Sequence, residues 1–272
     1  MTLPRYRLVV LPPDAPPDHL RLSPVLAETV ARTVADTGQP AILVRRQAPY
    51  VLLGPKDRRL PGLTDAVAWL NRLGFPVFMR IGGGSAVMLD EDCLSFAIAR
   101  PCRDLTTWES NFRSMATGVI DGLGRLNISS RFGAALGSYC EGPFDLLHDS
   151  RKIAGIAQAI RGGFALVSGM LLVRQDPFRA TALLQEFYRR AGSELQLRAE
   201  AVQALDRLPG QGGLTVVAVE GALLAGFSQH YDLNPQPLSA LEWQTARALY
   251  QSRQLGGPLK EDPQIASHHS HR

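Results

Sequence analysis

The stretch from Gly137 to Val173, GSYCEGPFDLLHDSRKIAGIAQAIRGGFALVSGMLLV, most constrains the fold. Its two β-type runs, from Lys152 and from Gly163, are separated by glycines, the pattern of strands laid side by side. Ahead of them the turn Ser-Tyr-Cys-Glu-Gly-Pro presents Cys140 at a surface or cleft. Lys152 follows twelve positions later. That spacing predicts a thiol and an ammonium on neighbouring strands of one hairpin, where the lysine favours the thiolate, the form that attacks carbonyls. The pair suits acyl transfer through a thioester.

The other cysteines lack such a setting. Cys93 lies among acids, which disfavour a thiolate, and Cys102 follows a proline in a plain loop. Three cysteines without CxxC spacing argue against a disulfide framework and a structural zinc site, and fit a reducing compartment. His148 is near enough in sequence to serve Cys140 as a base, but Asp149 and Ser150 beside it read as a hairpin tip in solvent.

Around this stretch, strands are expected at Arg5–Leu11, at Phe75–Arg80, and as hairpins at Ala41–Arg46 with Tyr50–Gly54 and at Ala86–Leu89 with Leu94–Ala99. A charged loop, Pro55–Gly62, precedes a helix from Leu63 to Leu73 that Gly74 stops. Ser23 reads as the N-cap of a helix reaching Thr37. A long helix spans Thr106–Leu126, although Gly118, Gly122 and Gly124 weaken that pattern. Asp176–Ala191, Glu194–Leu208, Thr215–Phe227 and Leu238–Leu255 are read as helices. The sum is an α+β chain: a mixed, mostly antiparallel sheet flanked by helices. Residues 1–193 form the expected catalytic domain and 194–256 a helical C-terminal part packed on it. Residues 257–272 are expected to be a disordered tail, whose His-His-Ser-His cluster lacks the preorganisation of a metal site.

Composition excludes more than it identifies. Arginines and acids are interspersed and the net charge is only +4, so no basic patch marks a nucleic-acid surface. The start, MTLPRYRLVVLPP, lacks a signal-peptide apolar region and no apolar run reaches membrane-spanning length. A cytoplasmic protein is expected, without nucleic-acid or membrane partners.

Two further motifs could line a site. In Arg80-Ile-Gly-Gly-Gly-Ser-Ala-Val87 three glycines allow backbone N–H groups to approach a ligand, without the spacing of a P-loop or dinucleotide fingerprint. The alternative is a flexible turn, with Arg80 either anchoring a carbonyl or pairing with an acid. In Lys152–Gln158, Gly155 and Ala157 share a strand face with Ile153 and leave room for an alkyl chain. Ordinary strand packing is the alternative there.

Both motifs carry a resemblance. PVFMRIGGGSAVMLDEDCLSFAI resembles the arginine–glycine motif of the lipoate-protein ligase and octanoyltransferase family, and FDLLHDSRKIAGIAQAIRGGFAL its second motif. The likeness covers about Ala41 to Val173. It implies a mixed sheet flanked by helices, a lysine (Lys152) beside an acyl carbonyl, and a pocket for lipoyl or octanoyl chains. Arg80, Gly82, Gly83, Gly84, Ser85, Gly155, Ile156 and Ala157 match its substrate-binding positions. The ATP-using ligases carry a glycine-arginine-x-glutamine-asparagine-like run where this chain has VLLGPKDRRLPGL, and they lack a cysteine at Cys140. SYCEGPFDL, LGPKDRRLPGL and GFPVFMR resemble the lipoyl amidotransferases, which move octanoate from the glycine cleavage H protein to the lipoyl domains of 2-oxoacid dehydrogenases. GGGSAV departs from the expected serine-glycine-glycine start.

The resemblance therefore implies Cys140 as nucleophile, with Lys152 lowering its pKa and stabilising the oxyanion together with N–H groups near Gly155 or Gly83. No cofactor is implied, because an amide is exchanged for an amide. An acyl carrier protein-dependent octanoyltransferase, an ATP-dependent ligase and a silent acyl- or lipoyl-domain-binding protein stand as alternatives.

Overall fold

The computed structural model describes residues 2–11 and 17–257. The expected tail, apart from Gly257, lies outside them. In chain order the elements are β1 (Arg5–Val10), α1 (Pro17–Arg21), α2 (Ser23–Thr37), β2 (Ala41–Arg45), β3 (Tyr50–Leu53), α3 (Leu63–Arg72), β4 (Val77–Met79), β5 (Val87–Leu89) and β6 (Cys93–Pro101). There follow α4 (Trp108–Arg125), β7 (Arg131–Gly133), β8 (Asp145–His148), β9 (Arg151–Arg161), β10 (Phe164–Leu172), α5 (Pro177–Arg190), α6 (Val216–Phe227), β11 (Asp232–Pro235), α7 (Ala240–Arg253) and β12 (Gln254–Leu255).

The strands form two sheets. The larger has eight strands in the order β11-β1-β2-β6-β10-β9-β8-β7, and the smaller has four, β12-β4-β3-β5. β11, β1 and β2 run parallel, and the rest of the large sheet is antiparallel. The fold is α+β with mixed sheets flanked by helices, as expected. The paired strands differ from expectation. β2 and β3, read as a hairpin, belong to different sheets, and so do β5 and β6. Alternating or continuous apolar runs identify a strand without identifying its partner.

Three cores follow from this layering. α4 and α6 cover one face of the large sheet through Val119, Leu123, Leu223 and Phe227. α2 and α7 cover the other through Leu26, Val30, Ala246 and Leu249. α3 and α5 pack on the small sheet. Being covered on both faces, β2 is buried along its whole length, its terminal Arg45 included.

Ser23 is itself buried inside α2, and Leu22 holds the cap position without a side-chain bond. Asp176, Thr215 and Ser239 cap α5, α6 and α7. Pro55–Arg59 is a 3-10 turn, and Leu105–Thr107 another that enters α4. The helix expected at Glu194–Leu208 is instead a strap with two short 3-10 turns. Val202 makes a bridge to Lys152, and Gln203 N–H donates to the Lys152 carbonyl at 2.8 Å, so tertiary pairing overrides the local helical preference.

Two of the glycines that weakened the α4 pattern, Gly118 and Gly122, let α4 and α6 approach closely, while Gly124 faces open space. A Cβ on Gly118 would meet Phe227 at 2.5 Å, one on Gly122 would meet the Ala222 carbonyl at 2.8 Å, and one on Gly226 would collide with the Gly118 carbonyl. Gly226→Ala is therefore expected to lower unfolding free energy by about 1–3 kcal/mol through overpacking. Gly221→Ala in the same helix, where a Cβ meets nothing within 4 Å, should be neutral or stabilise by up to about 1 kcal/mol. Urea denaturation of the two variants checks the contrast.

Candidate active site

Cys140 lies in the turn before β8, not on a strand, with the left-handed φ of +49°. For a residue with a Cβ that conformation costs roughly 1–2 kcal/mol. Lys152, at the start of β9, holds the turn in place. Its ammonium donates to the Tyr139 carbonyl at 3.0 Å and the Cys140 carbonyl at 2.8 Å, and pairs with Asp145 at 2.9 Å. Lys152 and Asp145 are each about 1% exposed, and such burial is tolerated only because they are paired. The second ligands of Asp145 are backbone: Gly142 N–H at 3.0 Å and Ile156 N–H at 3.2 Å.

Over the thiol sits the glycine-rich turn. The Arg80 guanidinium donates to the Gly83 and Ser85 carbonyls, so it organises the turn it precedes. The same group lies 3.1 Å from Cys140 Sγ, and Ser85 N–H lies 3.2 Å from it. Gly84, with φ of +95°, is required by this approach: a Cβ there would stand 2.5 Å from the sulfur and 2.7 Å from the guanidinium. Gly82 is in contact with β9, where its Cβ would meet Ala157 at 3.3 Å, and Gly83 N–H donates to the Gln158 carbonyl at 3.2 Å. From below, Asp57 accepts from Gly54 N–H at 2.9 Å and from Tyr188 Oη at 3.0 Å, and Tyr188 Oη accepts from Ala86 N–H at 3.0 Å.

Burial works against ionisation of Cys140. The Arg80 guanidinium, the Lys152 ammonium and the Ser85 N–H together outweigh it and hold the thiol below its ordinary pKa. By contrast, burial and then Asp90 push the Cys93 thiol well up. His148 Nδ1–H donates to the Ser129 carbonyl at 2.8 Å, and among the described residues no hydrogen bond joins His148 to Cys140.

The thiol opens on a cavity lined by Arg80, Cys140, Lys152, Gly155, Ile156 and Ala157. Leu52, Val87, Leu89 and Met170 form its apolar walls, and Arg45 and Ser95 also line it. The predicted site residues are thus brought together, with two differences of role. Gly82, Gly83, Gly84 and Ser85 roof the thiol rather than line the cavity. All three N–H bonds of the Lys152 ammonium have partners, as does Gly83 N–H; the donors directed at the sulfur are Ser85 N–H and Arg80 Nη2, which is shared with the Gly83 and Ser85 carbonyls.

Sequence reasoning missed Asp145, Tyr139, Asp57, Tyr188 and Arg45. Asp145 had a signal: an acid between Phe144 and Leu146 in a β-type run is rarely buried without a partner. Asp57 and Tyr188 meet from sites far apart in sequence, and no local pattern joins them.

With Arg80 and Ser85 in contact with its sulfur, Cys140 is expected to react faster at low pH than an ordinary thiol. In Arg80→Gln the midpoint of iodoacetamide alkylation against pH should move upward. An unmoved midpoint would show that the guanidinium does not bias the thiol.

The arrangement of two mixed sheets flanked by helices is shared with solved lipoate-protein ligases. A lipoate-protein ligase A solved with bound ATP has a TM-score of 0.69 over 90% of this chain and 94% of its own, at 24% identity. A bi-partite lipoate protein ligase from Thermoplasma acidophilum gives 0.66 over 92% of each chain, at 21% identity. The chain belongs to the lipoyl protein ligase A/B catalytic domain family, which residues 19–228 match. It is similar to the octanoyl-[GcvH]:protein N-octanoyltransferase of Kyrpidia tusciae, 30% identical over 78% of this chain and 76% of that protein. The like-named protein of an Exiguobacterium species is 35% identical over 51% of this chain and 49% of its own. The lipoyl-[GcvH]:protein N-lipoyltransferase of Listeria monocytogenes is 29% identical over 54% of each.

Proposed function

We propose that the chain is a cysteine-dependent protein N-acyltransferase that moves an octanoyl or lipoyl group from a lysine of the glycine cleavage H protein to a lysine of a lipoyl domain. The observation that carries this is the Cys140 thiol, held by Arg80 at 3.1 Å and Ser85 N–H at 3.2 Å at the mouth of an apolar slot. The names of the Kyrpidia and Exiguobacterium relatives support the donor and the reaction.

In the first half-reaction the thiolate attacks the amide carbonyl of the acylated donor lysine. The C–N bond breaks, the donor amine takes a proton from water at the mouth of the slot as it leaves, and the acyl group remains on sulfur as a thioester. In the second the neutral amine of the acceptor lysine attacks that thioester and returns one proton to water, the C–S bond breaks, and the thiolate is restored. Arg80 and Ser85 N–H stabilise the sulfur anion and stand beside the oxygen that gains charge in each half. Lys152 positions the turn through the two carbonyls it binds and adds positive charge. Each methylene buried in the slot contributes about 0.8 kcal/mol to holding the chain.

The test is transfer without nucleotide. Octanoylated H protein and an unmodified lipoyl domain, mixed with the chain and no ATP, should yield an octanoylated lipoyl domain by mass spectrometry. Transfer only from octanoyl acyl carrier protein, or only from free lipoate with ATP, would replace the donor by one of those two. Tight binding of the lipoyl domain with no transfer from any donor would make this a binding protein.

A further inference from the structure

The peptide that joins Gly84 to Ser85 presents its N–H to the Cys140 sulfur at 3.2 Å. In a trans peptide the carbonyl points the opposite way. That carbonyl end rests on Gly54, the residue before the 3-10 turn Pro55–Arg59. A Cβ on Gly54 would collide with the Gly84 carbonyl and stand 2.8 Å from the Ser85 nitrogen. The donor peptide is therefore held between the sulfur and the Gly54 backbone. Three consecutive glycines give the turn itself little rigidity, so the direction of this N–H depends on what lies behind it.

One buried carboxylate ties that backing together. Asp57 accepts from Gly54 N–H through Oδ2 at 2.9 Å and from Tyr188 Oη through Oδ1 at 3.0 Å. The Tyr188 oxygen accepts in turn from Ala86 N–H at 3.0 Å. A phenol has one proton, and giving it to Asp57 leaves a lone pair for Ala86, so every bond in the chain has a fixed direction. Asp57 and Tyr188 are each about 2% exposed, and neither lines the cavity. Together they hold Gly54 against one end of the Gly84–Ser85 peptide and fix the N–H of the peptide that follows it.

We infer that Asp57 and Tyr188 are positioning residues: their carboxylate–phenol brace aims the Ser85 N–H at the Cys140 sulfur, and so at the acyl group that the sulfur receives. The second half of that statement rests on the reading of Cys140 as the acyl-accepting thiol. Arg80 fixes the carbonyls of the glycine-rich turn, and the brace fixes the peptide whose N–H meets the thiolate. A donor held in place before the reaction stabilises developing charge without having to reorganise.

The test reads the thiol directly, so it needs no acyl donor. Iodoacetamide alkylation of the Cys140 peptide is followed against pH by mass spectrometry in Tyr188→Phe and Asp57→Asn. The first removes only the hydroxyl. The second keeps the shape of the side chain but replaces one acceptor by a donor, so it cannot hold both Gly54 N–H and Tyr188 Oη. The midpoint should move upward in both. The sign in Asp57→Asn separates the brace from simple electrostatics, because removing a negative charge would by its field alone lower the midpoint. Acylation by octanoylated H protein should slow by about tenfold or more in each variant. The double variant should lose little more than either single one, since both break the same chain. Leu70→Ala, which opens the same core from α3, is the control: it should lower the melting temperature and leave the midpoint in place. A midpoint that stays or falls in either folded variant overturns the inference, as does an equal shift in Leu70→Ala or a double variant whose losses multiply. Should the wild type accept no octanoyl group while the midpoints shift as expected, the transfer reading falls and the aiming of the N–H stands.

Discussion

Cys140→Ser is expected to lower acyl transfer by at least about 10³-fold while leaving the fold intact, because no other group at the mouth of the slot can form the acyl intermediate. The hydroxyl is about the same size and accepts hydrogen bonds from Arg80 and Ser85 as the sulfur does. It is not ionised by those neighbours, whose joint effect is enough to hold a thiol low. The separation between structure and chemistry is read by comparing melting temperature, which should be unchanged, with the rate of donor deacylation, which should collapse. A variant retaining a tenth of the rate would mean that transfer does not depend on a thiolate at this position.

Lys152→Met carries the second large effect, and it is structural as well as chemical. It leaves Asp145, about 1% exposed, without its cation, and removing one partner of a buried pair costs about 3–5 kcal/mol. It also frees the Tyr139 and Cys140 carbonyls, the anchors of a turn in which Cys140 has φ of +49°. Denaturant unfolding should show the loss. Lys152→Met with Asp145→Asn should recover part of the stability, since the orphaned charge is gone, but not the activity, since the turn is still unclamped. Failure of the double variant to recover any stability would show that the pair is not the source of the loss.

The parts of this site that could be read in the sequence are those with local chemistry. Cys140 in a turn, Lys152 at a strand start and the glycines after Arg80 each advertise themselves by residue type and spacing. What they do to one another was less legible. The thiol meets Arg80 across 60 positions, and Lys152 acts mostly on backbone carbonyls, which no side-chain pattern encodes. Arg45, inside the strand expected at Ala41–Arg46, is enclosed because β2 lies inside a sheet covered on both faces, which a single strand's sequence does not show. The same loss of information misassigned β2 with β3, and β5 with β6, as hairpins. Glu194–Leu208 has helical composition, but its partners, Lys152 and the Gly137 carbonyl, pull it into a strap. Gly118 and Gly122 show the converse: they counted against a helix until the closeness of α6 supplied their reason.

Intact-mass spectrometry of the chain mixed with octanoylated H protein, without ATP, tests the central claim most directly. The wild type should gain the mass of one octanoyl group, lost again on treatment with neutral hydroxylamine, and Cys140→Ala should gain nothing. No adduct on the wild type, or the same adduct on Cys140→Ala, would contradict the thioester route.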